Sequence, residues 1–257
     1  MKIASWNVNS LKVRLPHVLA WSVGAQPDVL ALQETKLTDD RFPAEELLSA
    51  GYHSVFSGQK TYNGVAVLSR EKALDAVTDI PGLDDPQRRI LAVTVGDVRV
   101  VNLYVVNGSE VGSEKFEYKL HWLDRVTAWL ANEMEQHENV VVLGDFNIAP
   151  DDRDVYDPEA WNGKILCSTQ ERDALARILD LGLKDTFRIF EQAERTWSWW
   201  DYRMNMFRRK LGLRIDLVLA SAAMAGRCTS SYIDIEPRQQ ERPSDHAPAI
   251  AEFAPTA

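Results

Sequence analysis

The 257-residue chain is 45% hydrophobic and 26% charged, the balance of an ordinary soluble globular protein, and its length suits one large α/β domain or two small ones. Its start, "MKIASWNVNS", has no apolar leader core, no stretch reaches the length of a membrane span, and Cys167 and Cys228 lie too far apart for a zinc motif or disulfide framework. A reduced, cytoplasmic setting without membrane contact is the expectation, and the net charge of −9, taken alone, argues against nucleic acid as a partner.

Short apolar runs alternate with helical patterns along the chain. Residues 2–7, "KIASWN", and 28–33, "DVLALQ", read as strands, with "RLPHVLAWSVG" between them as a helix closing on glycine. "PAEELLSAG" reads as a second such helix, followed by strands at "HSVFSG" and "GVAVLSR". The runs 90–95 and 98–106, joined by Gly96-Asp97, predict a hairpin. Phe116, Leu120, Leu123, Val126 and Leu130 are helically spaced in a long helix over 114–136, whose Trp122 and Trp129 read as core. A strand at 140–144, a helix near 170–181 and strands at "RIDLVLAS", "TSSYIDIE" and "PAIAEF" complete the chain. A hairpin excludes a purely parallel sheet and favours a two-sheet α/β sandwich of mixed strands. With no repeat and no low-complexity linker, residues 1–257 are expected to form a single domain.

Polar residues gather where these strands end. Asn7 and Asn9, Gln33 and Glu34, Tyr104 and Asn107, Asp145 and Asn147, Asp216, and the pair Asp245–His246 all fall at or inside strand-like segments. In "VVVLGDFNIAP", Asp145 and Asn147 lie two apart, which on extended backbone puts both on one side of the strand. The bland alternative is a turn, since Gly, Asp and Asn form turns. Asp216, an acid inside an apolar strand, needs a buried partner. Carboxylates, amides and an imidazole without cysteine suit a hard divalent cation such as Mg²⁺ or Mn²⁺, and so many such ends point to one metal-dependent site. The run "RMNMFRRKLGLR" holds Arg203, Arg208, Arg209, Lys210 and Arg214 without an acid. It is either a footprint for a phosphate backbone or a solvated loop.

Taken in order, "SWNVNS", "LQETK", "GDFNIAP", "WSWWDYR", "GLRIDLVLAS" and "PSDHAP" resemble the exonuclease III and abasic-site endonuclease family, a branch of the endonuclease/exonuclease/phosphatase superfamily. The similarity runs from Lys2 to Phe253 and is strongest to bacterial exodeoxyribonuclease III members. It implies a DNase I-like, four-layer α/β sandwich of two packed mixed sheets, with the site at one rim. It implies a Mg²⁺- or Mn²⁺-dependent hydrolase acting in base excision repair, a 3′-to-5′ exonuclease that also cleaves at abasic sites. The expected partner is double-stranded DNA with abasic sites, nicks or recessed 3′ ends, and no obligate protein partner. Carried over, the resemblance makes Glu34 the principal metal ligand with Asn7 and Asp245 beside it. Asp145 activates water, Asn147 orients it, and His246 and Tyr104 contact the phosphate. Asp145, Asn147 and His246 also adjoin the metal, and Asp216 hydrogen-bonds His246. Asn107, Trp199, Trp200, Tyr202, Arg203, Arg208 and Arg209, with His246, form the DNA-facing set, although core packing competes for the aromatics.

Some positions depart from the family pattern. Asn9 stands where many members have Asp, removing a carboxylate. Val106 replaces a common proline, implying a looser "YVVNG" loop. Leu213 stands where some members carry tryptophan, and Leu166 and Cys167 fall in a variable loop near the rim. A phosphoesterase of small substrates, an RNA-directed nuclease and a non-catalytic DNA-binding module are the alternatives. His17, His53, His121 and His137 match no site of the family.

Overall fold

The computed structural model, which describes residues 1–256, orders twelve strands into two six-stranded mixed sheets. In chain order these are β1 (Lys2–Asn7), β2 (Val29–Gln33), β3 (His53–Ser57), β4 (Val65–Ser69), β5 (Leu74–Val77), β6 (Ile90–Val95), β7 (Val98–Tyr104), β8 (Val140–Asp145), β9 (Lys184–Asp185), β10 (Asp216–Ala220), β11 (Cys228–Ile233) and β12 (Ala249–Phe253). The first sheet runs β11-β12-β1-β2-β4-β3 and the second β5-β6-β7-β8-β10-β9. Each sheet has one parallel pair at its centre, β1 with β2 and β7 with β8, and antiparallel neighbours around it.

Helices cover the outer face of each sheet, giving the four layers. α1 (Leu11–Ala25) and α2 (Ala44–Ser49) pack with Trp6, Leu30, Leu32, Ala66 and Leu68 on the first sheet. α3 (Glu114–Gln136) and α5 (Thr169–Leu179) pack with Val101, Leu103, Val140 and Val142 on the second. Between the sheets lies a third apolar layer, with Ile3, Val29, Ala31, Val100, Val141, Leu143 and Val218. Trp122 and Trp129 belong to the core under α3, as their spacing predicted. Truncating fully buried Trp122 should cost about 3–5 kcal/mol.

Local chemistry fixes the helix starts that frame the site. Ser113 caps α3 by accepting from Phe116 N, with Glu114 and Glu117 in the first turn where the dipole favours acids. Ser168 and Glu171 form a reciprocal capping box on α5. The glycine stop expected for α1 is corrected: Gly24 lies inside the helix, and Gln26 takes the left-handed closing position at φ 50. The expected hairpin forms, with Val95 opposite Val98. Only Gly96 of its two turn residues has positive φ, the pattern of a type II′ turn. The short strands β5 and β9 and the short helices α4 (Pro158–Trp161) and α6 (Ala222–Arg227) are additions to the sequence-based expectation.

Candidate active site

Strand direction explains why the polar ends meet. The parallel strands β1, β2, β7 and β8 all finish at one rim, while the antiparallel strands β10 and β12 begin there. Along these strands the side chains facing the opposite sheet are small or apolar until the last position, with buried Ser5 bonded to Gln33. On β1 they are Ile3, Ser5 and Asn7, on β8 Val141, Leu143 and Asp145, and on β10 Ala220, Val218 and Asp216. Register aligns Tyr104, Asp145 and Asp216 in one row across β7, β8 and β10. His246 lies just before β12.

Hydrogen bonds tie these side chains into one cluster. Asn7 Nδ2 donates to Glu34 Oε1 at 2.9 Å and to Asp145 Oδ2 at 2.9 Å, so a single amide spans both carboxylates. His246 Nδ1 faces Asp216 Oδ2 at 2.9 Å, giving the buried acid its partner, and Nε2 lies 3.7 Å from Asp145 Oδ2. Asp145 and Asn147 do not share one face of a strand, contrary to the expectation from their spacing. The strand ends at Asp145, and Asn147 sits in a turn at φ 48 with its N–H donating to Asp145 Oδ1 at 2.9 Å. The turn itself brings the two together. Asn147 Nδ2 donates to Val105 O at 2.9 Å, and its Oδ1 accepts from Asn107 at 3.1 Å.

Charges in this cluster are perturbed. Burial pushes the Asp145 carboxyl up to about 7, against the pull of His246. Burial opposes the His246 charge, yet Asp216 and then Asp145 outweigh it and raise the imidazole to about 10. Burial first, then Glu34 and Asp145, lifts Tyr104 well above the usual phenol range, so the hydroxyl stays neutral. For Glu34, burial works against the charge, but Lys36 and Asn7 hold its carboxyl below the ordinary value.

A cleft of about 430 Å³ opens over the cluster, lined on its polar side by Glu34, Tyr104, Asn147, Asp245 and His246 and on its apolar side by Trp161, Ile165, Leu166 and Trp199. A larger hollow of about 670 Å³ beyond Lys36 has Lys12, Arg41 and Lys60 in its lining but no carboxylate–imidazole cluster, so the chemistry belongs to the smaller cleft. The donor set fits a hard cation. Asp145, Asp216 and His246 offer ligand atoms within 4.8 Å of one another, but Asp216 and His246 are spent on each other. Glu34 and Asp145, the carboxylates bridged by Asn7, could hold such a cation, with Glu34 Oε2 then exchanging its Lys36 partner for the ion. Asp245 is one link away, with Oδ1 accepting from Asn9 at 3.0 Å and Oδ2 from Trp199 Nε1 at 3.0 Å.

Several expectations change on this geometry. Gln33 is buried between the sheets and donates to Asn102 Oδ1 at 2.8 Å, so it joins the layers and does not enter the cleft. Trp200 is buried, packed edge-on to Phe207 beside Arg238, and presents no face to DNA. Arg214 is also buried, paired with Asp154 at 2.6 Å and Asp185 at 2.7 Å, and leaves the basic run. Arg203 is exposed but paired with Asp201, while Arg208, Arg209 and Lys210 are exposed and form no ion pair among the described residues. Tyr202 is exposed, with its hydroxyl donating to Pro243 O. Val106 is 5% exposed, so the "YVVNG" loop is packed rather than loosened. Leu166, Cys167 and Leu213 are buried together in one small cluster. Sequence reasoning passed over Lys36, which bridges Asn9 Oδ1 at 2.6 Å and Glu34 Oε2 at 2.8 Å, although its place two after Glu34 in "LQETK" was visible. It also passed over Tyr62, an exposed aromatic lining a hollow with Asn107.

A model of the endonuclease/exonuclease/phosphatase family matches residues 4–246. The chain belongs to that family. As a family member it is similar to exodeoxyribonuclease III of Haemophilus influenzae, with 36% identity covering 98% of this chain and 100% of that protein. A solved structure of the 3′ phosphatase NExo from Neisseria bound to product DNA hairpin superposes with a TM-score of 0.97 and 52% identity, covering 99% of both chains. An AP endonuclease from Archaeoglobus fulgidus superposes at 0.95 with 38% identity, covering 98% of this chain and 99% of that one. The family resemblance and the DNase I-like sandwich are both borne out.

Proposed function

We propose that this family member is a DNA-repair nuclease that hydrolyses phosphate esters at 3′ ends and abasic sites. The observation that carries this reading is the buried row Asp145–His246–Asp216 facing Glu34 across Asn7 at the floor of one cleft. Asp145, with a proton affinity near neutrality, accepts the proton of the attacking water. His246, locked on Asp216 through Nδ1, turns Nε2 to a phosphoryl oxygen. Asn147 keeps one amide hydrogen beyond its bond to Val105, and neutral Tyr104 remains a donor. Such donors aimed at growing charge supply the largest share of this kind of catalysis. Water forms the new P–O bond, and the bond to the 3′ oxygen breaks, leaving a 3′-hydroxyl and a 5′-phosphate. Glu34 and Asp145, with Asn7 and Asp245 nearby, would hold a partly hydrated Mg²⁺ or Mn²⁺, which supplies charge neutralisation of the phosphoryl group. Half-buried Trp199 and exposed Tyr202, Arg203, Arg208 and Arg209, with Asn107, are the surface offered to DNA.

A second substrate, a 3′-terminal phosphate, is favoured by the 52% identity with the Neisseria 3′ phosphatase. Three duplexes separate the possibilities: one with an abasic-site analogue, one with a recessed 3′-hydroxyl and one with a 3′-phosphate. Each is incubated with Mg²⁺, with Zn²⁺ and with EDTA. Hydrolysis is expected with Mg²⁺, poorly with Zn²⁺ and not in EDTA. Full activity in excess chelator, or no product from any duplex, contradicts the proposal.

A further inference from the structure

A buried charge distant from solvent calls for a role, because a well-packed apolar pair of the same volume is often neutral or stabilising in its place. Lys119 of α3 and Glu171 of α5 are both fully buried and paired. Besides Glu171, the Lys119 ammonium donates to Asn147 O at 2.7 Å and Asn107 O at 3.2 Å. Glu171 in turn accepts from Leu166 N at 3.0 Å and from Ser168 N and Oγ at 3.1 and 2.6 Å. One ion pair therefore fastens three loops, and each delivers a residue to the cleft: Asn107, Asn147 and Leu166.

The surroundings are shaped for this lysine. A Cβ on Gly108, at φ 90, would stand 3.1 Å from Lys119 Cδ and 3.0 Å from Ile165 Cδ1, so glycine leaves the stem its path. Asn147 takes left-handed backbone at φ 48, which asparagine tolerates, whereas Leu166 at φ 70 keeps it only because its neighbours over-determine it. Asn147 N donates to Asp145 Oδ1, so any shift of that backbone reaches the carboxylate.

We propose that Lys119 is a positioning residue whose ammonium fixes the Asn107 and Asn147 backbones, and through them the Asn147 amide, against Asp145. The inference rests on the nuclease reading above. Lys119→Met removes the ammonium and strands Glu171. Lys119→Met with Glu171→Gln leaves no stranded charge and keeps one acceptor oxygen for the Ser168 cap or for Leu166 N. For both variants the melting temperature, DNA affinity, single-turnover rate and amide hydrogen exchange of residues 105–109 and 146–149 are measured. The double variant should fold and bind DNA like the parent protein. Its chemical step should slow about tenfold to a hundredfold, the scale of a misplacement near 1 Å, and exchange in both loops should quicken. Parental rate or unchanged loop exchange in the folded double variant overturns the proposal, and recovery of rate together with stability would mark Lys119 as merely structural. If the parent protein cleaves no DNA, the nuclease reading fails while loop exchange still decides the positioning claim.

Discussion

Asp145 is held in the cleft at a cost in stability. Its carboxyl rises from 3.8 to about 7 because burial disfavours the charge. The folded state therefore holds that proton more tightly than the unfolded chain, and stability from this source falls as the pH rises from 3.8 to about 7. Asp145→Asn, which keeps shape but removes the charge, should raise the melting temperature of chelated protein at pH 8, and a sharp drop would instead mark Asp145 as a structural turn residue. His246 carries the opposite interest. Its folded value of about 10 lies above the ordinary 6.5, so its pairing with Asp216 stabilises fully below pH 6.5 and is lost as the pH climbs through about 10. Thermal melts in EDTA between these limits should therefore decline more steeply for the parent protein than for His246→Gln. Equal slopes would show that the imidazole carries no such linkage.

Among the elements, those with a strict period were legible and those without one were not. The inward parity of β8 and β10 runs apolar to the rim and then turns polar, and that of β1 ends on Asn7 after Ile3 and Ser5, so Asn7, Asp145 and Asp216 are legible from the strand pattern alone. Asn147 was named for a pleat that had already ended, because a left-handed turn leaves no periodic trace. Residues 203–214 failed for the same reason. Met204, Asn205 and Lys210 all have positive φ, and an irregular segment gives no rule for which cation turns inward. Asp154, sixty positions away in sequence, decides it by claiming Arg214. The run therefore predicts two different outcomes. Neutralising Arg208 and Arg209 together should weaken DNA binding and lower its salt dependence by about one to two units of slope, with the fold intact. Arg214→Met should instead lower stability by up to about 3–5 kcal/mol, because buried Asp154 keeps only Arg188 as an ion-pair partner and Asp185 loses its guanidinium partner. Denaturant titration beside salt-dependent binding distinguishes the two, and parental stability for Arg214→Met would refute the structural assignment.

At the scale of the molecule, an acidic chain presents cations where its cleft meets the surface. Lys12, Lys36, Arg41 and Lys60 line the hollow that adjoins the cleft through Lys36, and the 203–210 segment adjoins it through Arg203. A net charge of −9 is thus compatible with a polyanionic substrate, because the field at the site is local. The four layers serve the same end, closing the sheet interior with apolar residues and leaving one rim polar. Under this account the chemistry depends on the Asp145 carboxylate at that rim, while duplex binding rests on other residues. The most direct test is single-turnover hydrolysis of a recessed 3′-end duplex in Mg²⁺ by the parent protein and by Asp145→Asn. The parent should cleave, and the variant should bind the duplex equally well but react about a hundredfold to ten-thousandfold more slowly. An Asp145→Asn protein that cleaves at the parental rate would contradict the account.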